Sequence, residues 1–242
     1  MKRFCLILLI HLTFVICHLS FAQETPQPLW SRYGITINDT AGNALQEKPL
    51  LVNDGQGSAF VIWEDGRHGY TDIYIQKTDE LGNIFWSHDG VAVCSTKGNQ
   101  NAHQAVADGS GGIIIVWQDY RHGDSDIFAQ HISSSGERLW GNDGVAICTS
   151  ETNQLAPQPV SDGAGGAIVV WHDYRSNGGE DIYAQKIDAS GQPSWTNNGL
   201  PICIAIGTQW YPQIASDGSR GAVITWSDGR KGAANNDIYT QR

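Results

Sequence analysis

Eight of the nine tryptophans of this chain fall on two ladders of four. Trp63, Trp117, Trp171 and Trp226 recur at steps of 54, 54 and 55 residues, and Trp30, Trp86, Trp140 and Trp195 at 56, 54 and 55. The chain is one unit written four times, and such a unit buries its apolar face only by stacking on a neighbour. A residue that returns at the same phase in every unit builds the unit. Function is to be sought where the units differ.

The spacing inside the unit is fixed. Gln46, Gln100, Gln154 and Gln209 stand eight residues before Asp54, Asp108, Asp162 and Asp217, each followed by glycine, and those stand nine before the first tryptophan ladder. Next come Trp-x-Asp-x-Arg, a loop, Asp-Ile-Tyr/Phe-x-Gln, a glycine turn and the segment bearing the second tryptophan. Four strands per unit follow. The second, at 59–63, 113–117, 167–171 and 222–226, is apolar without alternation, as a strand covered on both faces must be. The first, such as 157–161, joins it through Asp-Gly-x-Gly, whose glycines suit a tight hairpin. The third, 72–76 and its equivalents, alternates polar and apolar like a half-buried strand. The fourth is expected over 195–203. No segment has a 3.6-residue apolar period, so the chain is all-β.

Four-stranded units stacked through doubly covered strands describe the blades of a β-propeller. Tandem immunoglobulin domains repeat at about 100 residues instead. Residues 29–38 match the fourth strand, and the last unit stops after its third. The expectation is a four-bladed ring of units 46–99, 100–153, 154–208 and 209–242, the last completed by 29–38. The alternative is a fragment of a larger propeller.

Residues 1–22 read as a secretory signal peptide, with Lys2 and Arg3 ahead of an apolar run and small residues at Ser20 and Ala22. That run is shorter than the roughly 20 residues a membrane span needs, so no membrane insertion is expected. The propeller domain is 23–242 and its localisation secreted, extracellular or periplasmic. Without the leader the chain has 13 basic and 25 acidic residues. Such a balance opposes phosphate-backbone attraction, so nucleic acid is not an expected partner. Cys94, Cys148 and Cys203 hold equivalent positions in successive units. They stand too far apart to pair within the roughly 7 Å a disulfide allows, and read as small buried hydrophobes.

Over residues 30–241, Trp-x-Asp-x-Arg followed by Asp-Ile-Tyr-x-Gln resembles the repeats of secreted bacterial β-propeller-like proteins. The resemblance implies a propeller fold and export. The family is mostly of unassigned function and often carries a C-terminal sorting domain. The Asp-box of sialidase-type propellers is only loosely echoed by Ser161-Asp162-Gly163-Ala164-Gly165 with Trp171, at the wrong spacing.

The recurring charges are Asp65 with Arg67, Asp119 with Arg121, Asp173 with Arg175 and Asp228 with Arg230, followed by Asp72, Asp126, Asp181 and Asp237. Strand residues two apart share a face, and the hairpin brings the later Asp alongside. Each Arg is therefore expected to bridge two carboxylates at the blade end, a structural role. The rival, an arginine cluster gripping a carboxylate or sulfate, is weakened by the neighbouring Asp. No metal site is assigned. Asp124-Ser125-Asp126, Glu180-Asp181 and Asn235-Asn236-Asp237 offer oxygens suited to structural calcium, without an EF-hand pattern. His68 and His122 share a phase, whereas His88, His103, His131 and His172 are scattered and are expected to be exposed. No nucleophile elbow occurs, and carboxylate pairs for glycoside cleavage are not readable from spacing.

The units differ on one face of the ring. There lie Gly66, Tyr120, Tyr174 and Gly229, then His68, Tyr70 and His122, and Trp210 with Tyr211, Trp210 being off both ladders. Exposed aromatics beside polar groups suit sugar stacking or protein anchoring. The leading expectation is a non-enzymatic secreted propeller that binds a glycan or an extracellular protein through Tyr120, Tyr174, Trp210, Tyr211, His68, Tyr70 and His122. The alternatives are a carbohydrate-active enzyme, glycosidase or lyase, and a structural fragment of a larger exported adhesin.

Overall fold

The computed structural model describes residues 30–31, 33–39, 44–176, 178–232 and 235–242. The expected signal peptide lies outside the described residues. Four antiparallel sheets follow in chain order. The first holds β1 (Gln46–Asn53), β2 (Ser58–Asp65), β3 (Asp72–Asp79) and β4 (Val91–Ala92). The second holds β5 (Gln100–Ala107), β6 (Ile113–Asp119), β7 (Asp126–Ile132) and β8 (Val145–Cys148). The third holds β9 (Gln154–Ser161), β10 (Ala167–Asp173), β11 (Asp181–Ile187) and β12 (Leu200–Cys203). The last has three strands, β13 (Gln209–Ser216), β14 (Ala222–Asp228) and β15 (Asp237–Gln241). The fourth strand is shorter than expected: β12 begins at Leu200, and Trp195 precedes it.

Each first hairpin is set by its aspartate. Asp108 Oδ1 accepts the N–H groups of Ser110 at 2.7 Å and Gly112 at 2.9 Å, and Asp54, Asp162 and Asp217 repeat the pattern. The sheets then stack face to face. β6 and β10 are buried along their whole length, as their lack of alternation requires. Alternate residues of β6 feed different cores: Ile113, Ile115 and Trp117 pack with the first sheet, Ile114 and Val116 with the third. The first strands β5, β9 and β13 touch in succession, so they line the axis and β6, β10 and β14 stand one place out.

The first tryptophan ladder packs on glycine. A Cβ at Gly144 would lie 2.6 Å from the Trp117 ring and 2.5 Å from the Ala129 carbonyl oxygen, and its φ of +73° already favours glycine. The second ladder joins sheets. Trp86 Nε1 donates to Ser134 O at 3.4 Å and Trp140 Nε1 to Ala189 O at 3.0 Å, each capping the turn after the third strand of the next sheet.

Trp30 does the same to the first sheet, donating to Glu80 O at 2.9 Å. The expected closing strand at 29–38 is thus corrected. Its described residues lie on the first sheet, form no strand, and do not pair with β15. β1 and β13 also lack contact of the kind that joins β5 to β9 and β9 to β13. The fold is all-β and propeller-like, with no strand pairing between its first and last sheets among the described residues.

Candidate functional site

The repeated Trp-x-Asp-x-Arg builds a clamp at the end of each second strand. Asp65 Oδ2 accepts Trp63 Nε1 at 2.9 Å, while Arg67 gives Nε to Oδ1 at 2.9 Å and Nη2 to Oδ2 at 2.5 Å. The guanidinium lies 3.9 Å above the Tyr74 ring. Asp119 with Arg121, Asp173 with Arg175 and Asp228 with Arg230 repeat the clamp, over Phe128, Tyr183 and Tyr239. The expectation that each Arg bridges two carboxylates is corrected. Instead its Nη2 also donates to a backbone carbonyl, of Asp89, Asp143 or Asn198 in the first three sheets.

The later aspartates have other partners. Asp72 bonds His68 at 3.1 Å, Asp126 bonds His122 at 2.8 Å, and Asp237 pairs with Lys231 at 2.6 Å. Burial raises the Asp72 and Asp126 carboxyls in spite of these histidines, and burial likewise raises Asp181. Arg121, Arg175 and Arg230 also reach the sulfurs of Cys94, Cys148 and Cys203. Burial pushes the Cys94 thiol up to about 11 and Cys148 to about 12, so neither is a ready nucleophile. Among the described residues no three His, Cys, Asp or Glu gather as a metal site.

The sheets differ along the axis. Each first strand carries a bulge whose residue has left-handed backbone: Lys48 (φ 51°), Ala102 (50°), Ala156 (53°) and Tyr211 (55°). In the first two sheets the residue after the ladder tryptophan reaches toward the next bulge. Glu64 Oε1 accepts Ala102 N at 3.0 Å, and Gln118 Oε1 accepts Ala156 N at 3.0 Å. His172 stands at this position in the third sheet, and its Nδ1 has no hydrogen-bond partner among the described residues. Bulges and strained residues concentrate where a fold re-aims side chains for function.

The most functional-looking of these places lies between β1 and β5. A cleft of about 220 Å³ is bounded by Lys48, Glu64, Ala102 and His103. Glu64 is 2 % exposed and takes Lys48 Nζ at 3.0 Å. His103, where the other sheets have proline, is 5 % exposed with Nδ1 3.9 Å from Glu64 Oε1. Burial holds its imidazole below the ordinary value against the pull of Glu64. Neither ring nitrogen completes a hydrogen bond among the described residues. The chemistry offered is a buried carboxylate beside a neutral imidazole, the pairing general acid–base work uses.

The expected ligand residues do not converge on one site. Tyr174 donates to Glu180 Oε1 at 2.6 Å, meets His172 edge to face, and feels the phenol of Tyr211. Hydrogen bonding to Glu180, then burial, pushes the Tyr174 phenol up to about 12. Trp210 is half-buried and meets an exposed Tyr211 edge to face. Tyr120 takes Gln118 Nε2 at 3.1 Å in the second sheet. His68 and Tyr70 line a separate cleft of about 350 Å³ reaching toward residues 92–97, and His122 stays with Asp126. The expectation of exposed scattered histidines is corrected for His103, His131 and His172, which are buried; His131 bonds Asp108 at 2.8 Å. Sequence reasoning passed over Glu64 and His103, although both stand where the repeat breaks its own pattern.

No protein-family model matches the chain, and no curated protein does. Among solved structures, it is similar to a protein of unknown function from Dyadobacter fermentans, at 11 % identity over 78 % of this chain and 51 % of that one, with TM-score 0.51. An endo-arabinase from Bacteroides thetaiotaomicron aligns at 13 % identity over 79 % and 72 %, TM-score 0.45. A thermostable family-43 glycoside hydrolase aligns at 12 % over 85 % and 71 %, TM-score 0.48. Likeness at such identities speaks to the fold alone. The ordering of the functional readings is nevertheless corrected by these comparisons. The sequence placed a non-enzymatic binding module first, whereas the compared structures with a stated activity are carbohydrate-active enzymes. The binding-module reading is withdrawn, and a protein partner has no support.

Proposed function

We propose that the protein is an exported carbohydrate-active enzyme that cleaves a polysaccharide at the axial end of its sheets. The observation that carries this reading is the buried Glu64 carboxylate beside the neutral His103 imidazole in an open cleft. His103 exchanges the proton and Glu64 orients and balances it, with Lys48 tempering the local negative charge. Tyr174, Trp210 and Tyr211 supply ring faces on which sugars stack, and Glu180 adds a second carboxylate at the same end of the sheets. The leader at 1–22 exports the chain, and among the described residues no helix is long and apolar enough to cross a membrane.

The test is release of new chain ends from a panel of plant, fungal and bacterial polysaccharides by the purified protein. Glu64→Gln and His103→Gln are expected to lower kcat by about 10²-fold or more while the circular dichroism spectrum stays native. A wild type inactive across the panel, or variants that keep full rate, defeats the reading. Unsaturated products identify elimination, and saturated ones hydrolysis.

A further inference from the structure

The loop after β2 and the loop after β4 face each other across a cleft of about 350 Å³, with His68, Tyr70, Asp72 and Lys97 in its walls. Their backbones are pinned together: Thr71 N donates to Asn99 Oδ1 at 3.0 Å, and Gln100 N to Thr71 O at 2.6 Å. The second sheet repeats both bonds, Ser125 N to Asn153 Oδ1 at 3.0 Å and Gln154 N to Ser125 O at 2.7 Å. The repeat thus supplies the frame, and only the lining differs. Tyr70 and Lys97 of the first sheet have Asp124 and Glu151 as their equivalents one repeat later. One frame carries opposite charge in its two copies.

The lining groups of the first sheet keep their outward valences open. Asp72 is 5 % exposed and takes His68 Nδ1 at 3.1 Å, which commits the Nδ1 proton to the carboxylate and makes Nε2 the acceptor of the neutral ring. Among the described residues Nε2 makes no hydrogen bond, and neither does the phenol of the exposed Tyr70. Lys97 differs from every other described lysine. Lys48, Lys77, Lys186 and Lys231 hold Glu64, Asp54, Asp162 and Asp237 at 2.6–3.5 Å, whereas Lys97 is exposed and pairs with no carboxylate among the described residues. On the rim, Ser95 Oγ accepts Arg138 Nη1 at 2.9 Å, which offsets the Asp143 charge felt by Cys94. Repulsion from a chain of net charge −10 is screened beyond about 8 Å at physiological salt, so the local ammonium governs what enters.

We propose that this cleft binds the anionic group of an acidic sugar, a carboxylate or a sulfate ester, and so gives the enzyme proposed above, on which the choice of a sugar rests, an acidic polysaccharide as substrate. Lys97 meets the anion as a compact charge, Tyr70 packs its ring on the sugar face, and His68 Nε2 accepts a sugar hydroxyl. Asp72 is a positioning residue, because it acts only by fixing the His68 ring. The cleft opens at the same end of the first two sheets as Glu64 and His103, since Lys97 leads directly into β5, the strand that bears His103. A polymer anchored at Lys97 runs along the junction that also holds the proposed catalytic pair.

Calorimetry at low salt with three probes tests this: an oligogalacturonate carrying carboxylates, a carrageenan oligosaccharide carrying sulfates, and a neutral galactan oligosaccharide. At least one anionic probe is expected to bind about tenfold or more tighter than the neutral one, and Lys97→Glu, which installs the second sheet's residue, to remove that preference. Lys231→Glu makes the same change of net charge elsewhere and is expected to leave the preference intact. The order of the two anionic probes says which anion the site takes. Equal affinity for the neutral probe, binding of none, or equal losses in Lys97→Glu and Lys231→Glu overturn the proposal. Binding is read without turnover, so Lys97-dependent binding by a protein that cuts nothing upholds the site and defeats only the enzyme. Cleavage of a polysaccharide without Lys97-dependent binding defeats the site alone.

Discussion

Asp65 shows how a carboxylate with no exposed surface is tolerated at a blade end. Its roughly four acceptor sites are met by Trp63 Nε1, Arg67 N, Nε and Nη2, so no lone pair is left dry. Burial alone would raise its carboxyl, yet the arginine and tryptophan outweigh burial and hold it below the usual range. His103 is the opposite case, a buried base with no completed hydrogen bond. Its folded pKa lies below the unfolded value of about 6.5. The unfolded state therefore binds more protons in that window, and a penalty absent at higher pH grows as pH falls through the unfolded value. The groups facing it are Glu64 and the Ile62 backbone, which favour the imidazolium, and Lys48, which opposes it. Urea midpoints at pH 7.5 and 5 are expected to drop more for the wild type than for His103→Gln; equal drops would refute this. The clamp was legible in sequence because it is written four times. His103 was not, since one histidine carries no period to mark it as buried.

The second tryptophan ladder works at the scale of the element, because its rings fasten one sheet to the next. Trp140 is nearly buried, bonds Ala189 O at 3.0 Å and presses on Gly191, where an added Cβ would lie 2.8 Å from the ring. Trp195 holds the same repeat position but is only half-buried, packed against the core shared with the last sheet, and its indole N–H makes no hydrogen bond among the described residues. Trp140→Ala is expected to cost about 3–5 kcal/mol by urea titration, and Trp195→Ala less than about half of that. Equal losses would show that the ladder serves its own sheet and not the junction. Strand positions, the Asp-Gly hairpins and the doubly covered β6 and β10 were readable because pattern and turn chemistry agree there. The place of residues 30–39 was not. The Trp30 phase identifies a fourth-strand segment, but repeat phase does not say which sheet edge such a segment lies against.

At the scale of the whole molecule, stability follows from stacking. The second and third sheets have an apolar core on each face, while the last shares only one, built by Ile224 and Trp226 against Val170, Ile182 and Ala184. Solenoid-like arrays gain stability from each neighbour interface, so an end unit opens at lower free energy than an interior one. Sequence counts four units and fixes their order, but closure depends on how far each sheet turns from the last, which no residue pattern encodes. Amide exchange is expected to be slowest in β6 and β10 and fastest in β15, whose outer edge is unpaired among the described residues. Exchange as slow in β15 as in β6 and β10 would show that the last sheet is held as firmly as the interior ones.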